Sequence, residues 1–422
     1  MTPEPTTPPT PARHPAGLYV LFFTELWERY SFYALVALLV LYMDEYLLFP
    51  KAQSARVWGA FMGAVYFLPL VGGFLADRWL GFYRAVIIGA VLMGIGQFVL
   101  ATGGGTTFFL ALGLIACGTG MLKPNVSNIV GGLYTDRPQL RDAGFNIFYM
   151  GINTGAFIAP LVVAWLRNKY GWSAAFMSSA VAMVFAIAVF TIGKRYLPAS
   201  AQKSDAAANE PTSDAFMRVV ALLVVFLIVI AFWVAFYQNG LTLTFWAKNN
   251  TATSIPPETF QSVNPLGIIL FSPLLVMLWS ALRRRGSEPS TVSKIILGML
   301  LTAATFGIMA AAGIAGGDIG RVSAGWLVSA YLVIALGEIC LSPMGLSLVT
   351  KVAPPRHRGT MMGAWFVATA AGGYLSGFVG QYWEQMPHSR FFVLVAALCL
   401  VAAALTALAK ARLDKVFARA GA

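Results

Sequence analysis

The stretch FFTELWERYSFYALVALLVLYM, residues Phe22–Met43, has enough apolar residues to span a membrane but carries three charges near its start. About 20 apolar residues in a helix cross a hydrocarbon core of about 30 Å. Glu25 and Glu28 are three positions apart, and Glu25 and Arg29 are four apart, so all three project from one helix face. This spacing predicts a spanning helix whose charged stripe faces a cavity, while Leu26, Ala37 and Leu41 face lipid or other helices.

The composition extends this prediction to the whole chain. Of its 422 residues, 58% are hydrophobic and 11% are charged, whereas about a quarter of the residues of a soluble domain are charged. This deficit predicts an all-α polytopic membrane protein.

Apolar runs predict twelve transmembrane helices in two bundles of six. A polar stretch rich in Ala, Ser, Asp and Pro separates the bundles and reads as a flexible linker. The predicted helices are 18–43, 54–76, 83–102, 106–130, 142–166, 172–195, 216–247, 262–282, 291–313, 325–350, 358–383 and 389–411. The predicted divisions are an N-terminal tail (1–17), a first bundle (18–197), a linker (198–215), a second bundle (216–411) and a C-terminal tail (412–422).

The basic residues orient the chain. With the N-terminus inside, the cytoplasmic segments hold 20 of the 29 Lys and Arg residues and the outer loops hold seven. Because cytoplasmic loops carry an excess of Lys and Arg, both termini are predicted to be cytoplasmic. The same asymmetry explains the net charge of +12, and no nucleic-acid partner is expected.

Charges inside the predicted helices are candidates for function. Besides Glu25, Glu28 and Arg29, they are Lys123 and Glu338. A charge inside the membrane costs at least about 2.5–3.5 kcal/mol on insertion scales, so it usually lines a cavity and serves a function. Two neighbouring carboxylates repel each other, which favours a proton on one of them, as a proton-coupled carrier requires. The sequence contains no metal cluster and no nucleophile–base constellation, so an enzyme is not expected.

Several motifs resemble one carrier family. GGFLADRWLGFYR (72–84) resembles the loop signature of the major facilitator superfamily. ELWERYSFY (25–33), GTGMLKPNVSNIVGGLY (118–134) and FNIFYMGINTGAFIAP (145–160) resemble motifs of the proton-dependent oligopeptide transporters within that superfamily. QSVNPLGIIL, GEICLSPMGLSLVTKVAP and MMGAWFVATAAGGYLSG resemble further segments of that family, in family order.

The resemblance implies a major facilitator fold and a role for each matching position. The proton-coupling residues would be Glu25, Glu28, Arg29 and Lys123. The peptide site would be lined by Arg29, Tyr33, Lys123, Asn153, Gln238, Asn264, Glu338 and Trp365. Glu338 would bind the peptide's amino group, and Arg29 with Lys123 its carboxylate.

The chain departs from the family pattern at several positions. Phe32 replaces a tyrosine and Ala34 replaces a glycine. Val36 and Tyr237 stand where many members carry a base and an acid. Bacterial members usually insert two helices between the bundles, and the short linker leaves no room for them.

The expected function is a proton-coupled symporter that imports di- and tripeptides by alternating access. The alternatives are a carrier of another zwitterionic or organic-anion solute and a membrane sensor that binds without transport. The proton is the expected coupling ion and no cofactor is expected. The expected partners are a small peptide and the lipid bilayer, the expected state is a monomer, and the expected location is the bacterial inner membrane.

Overall fold

A computed structural model describes residues 14–137, 140–198, 212–354 and 357–419. These residues contain twelve helical stretches long and apolar enough to cross a membrane, which confirms the predicted number. The first half consists of α1 (Ala16–Glu45), α2 (Lys51–Leu75), α3 (Phe82–Thr102), α4 (Phe108–Gly132), α5 (Arg141–Tyr170) and α6 (Trp172–Ile192). A π-helical turn, Ala76–Leu80, follows α2, and a 3-10 turn, Gly193–Tyr196, follows α6.

The second half consists of α7 (Thr212–Phe236), α8 (Thr242–Asn249), α9 (Val263–Arg284), α10 (Thr291–Ala315), α11 (Ala324–Val352), α12 (Arg358–Gly380) and α13 (His388–Arg419). Two 3-10 turns, Tyr237–Asn239 and Pro257–Ser262, flank α8 and precede α9. Two short parallel strands, β1 (Thr251–Ala252) and β2 (Val322–Ser323), join the loops before α9 and α11.

The seventh predicted span differs from the prediction because it is interrupted. The chain leaves α7 at Phe236, makes a 3-10 turn, and resumes as the short helix α8. Gly240 lies at the break, where an added Cβ would come within 2.2 Å of the Trp58 ring of α2. The interruption therefore lets a tryptophan of the first half pack against the backbone of the second half.

The predicted N-terminal tail and the linker lie largely outside the described residues, which omit 1–13 and 199–211, whereas only 420–422 are omitted from the predicted C-terminal tail. At the C-terminal end, α13 continues to Arg419, beyond the predicted end at residue 411. Leu413 and Phe417, four residues apart, are both buried, and Lys410 pairs with Asp414 across one turn at 2.7 Å. One buried face and one ion pair explain why the helix extends past its apolar run.

Helix α1 is the central helix of the first half. It packs against α5 and α6, and both Ala37 and Leu41 are fully buried. Of the two environments predicted for this face, neighbouring helices are the one found. Because protein surrounds α1, its charged stripe is enclosed within the molecule.

The two halves meet closely where α2 crosses α12. A Cβ added at Gly59 would lie 2.6 Å from the Tyr374 carbonyl oxygen and 2.8 Å from the Gly377 Cα. An added Cβ at Gly377 would lie 2.2 Å from the Ala55 carbonyl oxygen. Only glycine allows these backbones to approach so closely.

We call the end of the molecule that carries the α1–α2 connection the outer face. Ion pairs join the halves there. Lys248 of α8 lies 2.5 Å from Asp44 and 3.1 Å from Glu45 at the end of α1. Other pairs are Arg167–Glu258, at 2.9 Å, and Lys51–Glu384, at 2.9 Å. The outer face is therefore closed in this structure.

The turn between α9 and α10 lies at the opposite end and is ordered by one carboxylate. Glu288 accepts hydrogen bonds from Arg283 Nε at 2.6 Å and from Lys294 Nζ at 2.7 Å. The hydrogen bond from Arg283, followed by that from Lys294, lowers the pKa of Glu288 to about 2.

Candidate functional site

The predicted charged stripe of α1 forms a buried ionic cluster. Glu25, Glu28 and Arg29 are each at most 3% exposed. The Arg29 guanidinium donates two hydrogen bonds to the Glu28 carboxylate, and its Nε lies 3.4 Å from Glu25 Oε1. One guanidinium thus serves two carboxylates, and the cluster has a formal charge of −1.

The close approach of α5 keeps this cluster out of water. A Cβ added at Gly155 would lie 2.4 Å from the Leu26 carbonyl oxygen and 3.1 Å from Arg29 Cβ. Any larger residue would push α5 away from α1. The glycine in the INTGAF segment therefore helps to bury the charges.

Lys123 of α4 is near the cluster but is not paired with it. Its ammonium lies 4.3 Å from the centroid of the Tyr66 ring, a distance typical of a cation–π contact. Its charge also acts on Glu25. Within the described part of the chain, no carboxylate lies within ion-pair distance of Lys123.

The second half contributes one carboxylate. Glu338 of α11 is partly exposed, and its Oε2 accepts a hydrogen bond from Asn264 Nδ2 of α9 at 3.2 Å. Tyr33 of α1 lies within electrostatic range of both Arg29 and Glu338. Tyr33 is therefore close enough to feel the charge of the α1 cluster and that of the carboxylate in the other half.

Two tyrosines that the sequence analysis did not select also lie near these charged residues. Tyr149 lies within electrostatic range of Glu338, and the Tyr66 ring lies 5.6 Å from that of Tyr237. Tyr149 precedes Asn153 by one helical turn, so its shared face with that residue could have identified it. Tyr66 has no comparable signal, because its partners lie on α4 and α7.

Three predicted site residues, Asn153, Trp365 and Gln238, are buried and make their contacts within the helices or between them. Asn153 is 5% exposed and donates to the carbonyl oxygen of Tyr149 in its own helix at 3.0 Å. Trp365 is 3% exposed and packs edge-on to Phe226 and against Gly345.

Gln238 is fully buried. Its amide nitrogen donates to the carbonyl oxygens of Val234 and Ser376, and its amide oxygen accepts from Thr242. In this conformation the amide is used to hold α7 against α12, and the structure does not bring it to the ionic cluster.

Comparison with known proteins agrees with this geometry. The family model described as "POT family" matches residues 83–210 and 199–393. The chain belongs to the POT family. The predicted resemblance is thereby confirmed, and membership of this family makes the chain a transporter rather than an enzyme.

Relatives of known name cover most of the chain. It is 34% identical to the peptide transporter YePEPT of Yersinia enterocolitica, over 87% of this chain and 88% of the relative. It is 32% identical to a di-/tripeptide transporter of Lactococcus lactis subsp. cremoris, over 92% of this chain and 93% of the relative. With these bacterial relatives and twelve apolar helices, the chain is a multi-pass protein of the bacterial inner membrane.

Solved structures of POT transporters have the same fold. A peptide transporter POT in complex with sulfate superimposes with a TM-score of 0.88 at 31% identity, covering 96% of both chains. A POT family transporter in complex with 5-aminolevulinic acid gives a TM-score of 0.87 at 24% identity, which supports the fold alone. The major facilitator fold predicted from the sequence is confirmed.

Proposed function

We propose that this chain is a proton-coupled symporter that imports di- and tripeptides by alternating access. The observation that supports the proposal most strongly is the buried α1 cluster, in which two carboxylates share Arg29. Tyr33 lies within electrostatic range of both Arg29 and Glu338 of the other half. The names of the relatives as peptide and di-/tripeptide transporters support the substrate class.

The proton step uses the α1 cluster. The Arg29 guanidinium is paired with Glu28 and Glu25 at once, so two carboxylates share its single positive charge while both are ionised. A proton on one carboxylate removes a competitor for the guanidinium and leaves it able to bind a substrate carboxylate. Proton binding and substrate binding are thereby linked, and no cofactor is needed.

Formal charge favours a zwitterionic substrate. Three carboxylates, those of Glu25, Glu28 and Glu338, and two cations, those of Arg29 and Lys123, give the site a charge of −1. One proton brings that charge to zero, and a zwitterionic peptide adds none. A site that is neutral with proton and peptide bound is favoured, because an uncompensated buried charge is costly to move across the membrane.

The two halves also contribute opposite charges to the ends of the site. Arg29 and Lys123 in the first half would bind the peptide carboxylate, and Glu338 in the second half would bind the amino group. Tyr33 between them offers an aromatic surface for side chains. A bound peptide would then draw the halves together by its two termini.

The peptide experiment tests this arrangement directly. Free di- and tripeptides should compete for uptake much better than their N-acetylated forms, because acetylation removes the cation that Glu338 would bind. Glu338→Gln should narrow that difference. The matched control is Glu384→Gln at the exposed Glu384 of the outer face, which should leave the difference unchanged.

Proteoliposome assays distinguish the alternatives. If acetylated and free peptides compete equally in the unmutated protein, a carrier of another zwitterion or organic anion is favoured. If peptides bind saturably but a pH gradient drives no net flux, the chain is a sensor.

The orientation and the division into bundles belong to the same proposal. Both termini and the segment between the bundles would be cytoplasmic, with the bundles at 18–197 and 216–411. A reporter fused after residue 205 should be active only on the cytoplasmic side. A single transporter should suffice for function, which reconstitution at one copy per vesicle would test.

A further inference from the structure

Three cations line a cavity at the inner end of the first half, which is the end opposite the outer face. The cavity lies between the start of α3 and the 3-10 turn after α6, with a volume of about 770 Å³. Arg84, Lys194 and Arg195 contribute to its lining. Within the described part of the chain, no ion pair involves any of the three.

Among the described residues, some basic residues elsewhere are paired with carboxylates, whereas others, such as Arg284, Arg285 and Arg412, are in none of the ion pairs. At the outer face, Lys51, Arg167 and Lys248 each pair with a carboxylate. At the inner end of the second half, two cations share Glu288. What distinguishes Arg84, Lys194 and Arg195 is that all three line one cavity, which suits an anion from outside the chain.

The cavity is held in place by its own packing. Tyr83, which also lines it, donates a hydrogen bond from its hydroxyl to the carbonyl oxygen of Pro198. The Lys194 ammonium lies 5.9 Å from the Tyr83 ring centroid. The turn itself is fixed against α1, since a Cβ added at Gly193 would lie 2.4 Å from a Val20 methyl carbon. The backbone that carries the cations is thus fixed by packing, while the three cationic side chains are exposed.

The surroundings of the cavity are those of a membrane surface. Ile192, the last residue of α6, is 76% exposed, and Trp79, in the turn before α3, is 67% exposed. Along α6, Val181 and Phe185 are exposed on the face that leads towards Ile192. This apolar strip runs along a spanning helix and ends at the basic cavity. It provides a surface for the acyl chains of a lipid whose charged headgroup lies in the cavity.

We propose that this cavity binds the headgroup of an anionic phospholipid of the cytoplasmic leaflet, with its phosphate held by Arg84, Lys194 and Arg195. Basic pockets between helices on the cytoplasmic side are suited to such headgroups. A zwitterionic headgroup would bring its own ammonium next to three cations. The preferred lipids are therefore those with net negative charge, such as phosphatidylglycerol or a diphosphate lipid of the cardiolipin type.

Native mass spectrometry of the purified full chain tests the site. The chain would be titrated with phosphatidylglycerol and, separately, with phosphatidylcholine of the same acyl chains. Each direct contact between a cation and the lipid phosphate adds to the general attraction of surface charge, so the variant R84Q/K194Q/R195Q should bind phosphatidylglycerol on the order of 100-fold more weakly.

The matched control removes the same charge from the same face at exposed positions. The variant R284Q/R285Q/R412Q should bind phosphatidylglycerol as the unmutated chain does, and both variants should keep its thermal unfolding midpoint. Equal losses in the two variants would reduce the binding to general charge attraction and overturn the proposal. Equal binding of phosphatidylcholine would overturn it too.

A competition experiment distinguishes binding of a lipid from binding of a soluble anion. Inorganic phosphate at millimolar concentration should fail to displace the bound phosphatidylglycerol, because it lacks the acyl chains that lie along α6. Displacement by phosphate, with binding of phosphate alone, would identify a free-anion site instead and overturn the lipid proposal. None of these readouts depends on transport.

Discussion

The pair Arg167–Glu258 offers the sharpest test of how the outer face stays closed. Glu258 is fully buried in the second half, and Arg167 of α5 supplies its ion-pair partner at 2.9 Å. Arg167 is 13% exposed and has other contacts, with Glu45 at 3.2 Å and over the Trp172 ring at 4.9 Å. The two partners therefore depend on the pair unequally.

This inequality predicts an asymmetric effect of mutation. Arg167→Gln leaves a buried carboxylate unpaired, which costs the closed state about 3–5 kcal/mol. Glu258→Gln leaves an arginine that keeps Glu45 near the surface, where such changes are worth about 0–1 kcal/mol. The two variants should differ by at least about 2 kcal/mol, or roughly 30-fold in the ratio of closed to open molecules.

Spin labels across the outer face measure that ratio. Spin labels would be attached to cysteines placed at Gly104 in the first half and Ile319 in the second, with the exposed Cys117 replaced by serine. Double electron–electron resonance then measures the distance between the two labels. Arg167→Gln should shift many of the molecules to a longer distance between the labels, whereas Glu258→Gln should shift few of them.

The double variant should return most of the closed population, since it removes both the carboxylate and its partner. An effect of Glu258→Gln equal to that of Arg167→Gln, or a strictly additive double variant, would refute the reasoning.

Three further outcomes are expected. Glu25→Gln or Glu28→Gln should abolish uphill, pH-driven uptake and spare exchange of labelled for unlabelled substrate. Full uphill uptake in both variants would contradict a role for these two residues in proton coupling. Val36→Arg or Tyr237→Glu alone should impair folding or transport, and their combination should recover part of the loss. The lowered pKa of Glu288 means that its stabilising contribution is present above about pH 4.5 and is lost as pH falls towards 2. Glu288→Gln should remove this acid dependence of the thermal unfolding midpoint, and an unchanged dependence would contradict it.

The sequence predicted the features that follow from local periodicity. Apolar length predicted the twelve spans, and the spacing of Glu25, Glu28 and Arg29 predicted one charged face, which the structure confirms. These signals lie within single helices, where neighbours in sequence are also neighbours in space.

Contacts between distant segments could not be predicted in this way. Lys51 and Glu384 are 333 positions apart, and Lys248 and Asp44 are 204 apart. In the sequence, each of these residues is a charge next to an apolar run, with nothing to indicate its partner. The partners come together only when the two bundles pack. The break at Gly240 was missed for the same reason, because its cause is a Trp58 ring from the other half.

The crossing of α2 and α12 has a consequence for the energetics of gating. Where Gly59 meets Gly377, closure brings backbone against backbone, and no side chain loses rotamer freedom at that contact. Ordering a long side chain can cost as much as about 2 kcal/mol in conformational entropy. A contact made by backbone atoms alone avoids this loss of side-chain entropy each time the transporter closes. Closed and open arrangements can therefore lie close in free energy, and small differences in proton or substrate occupancy are enough to decide between them.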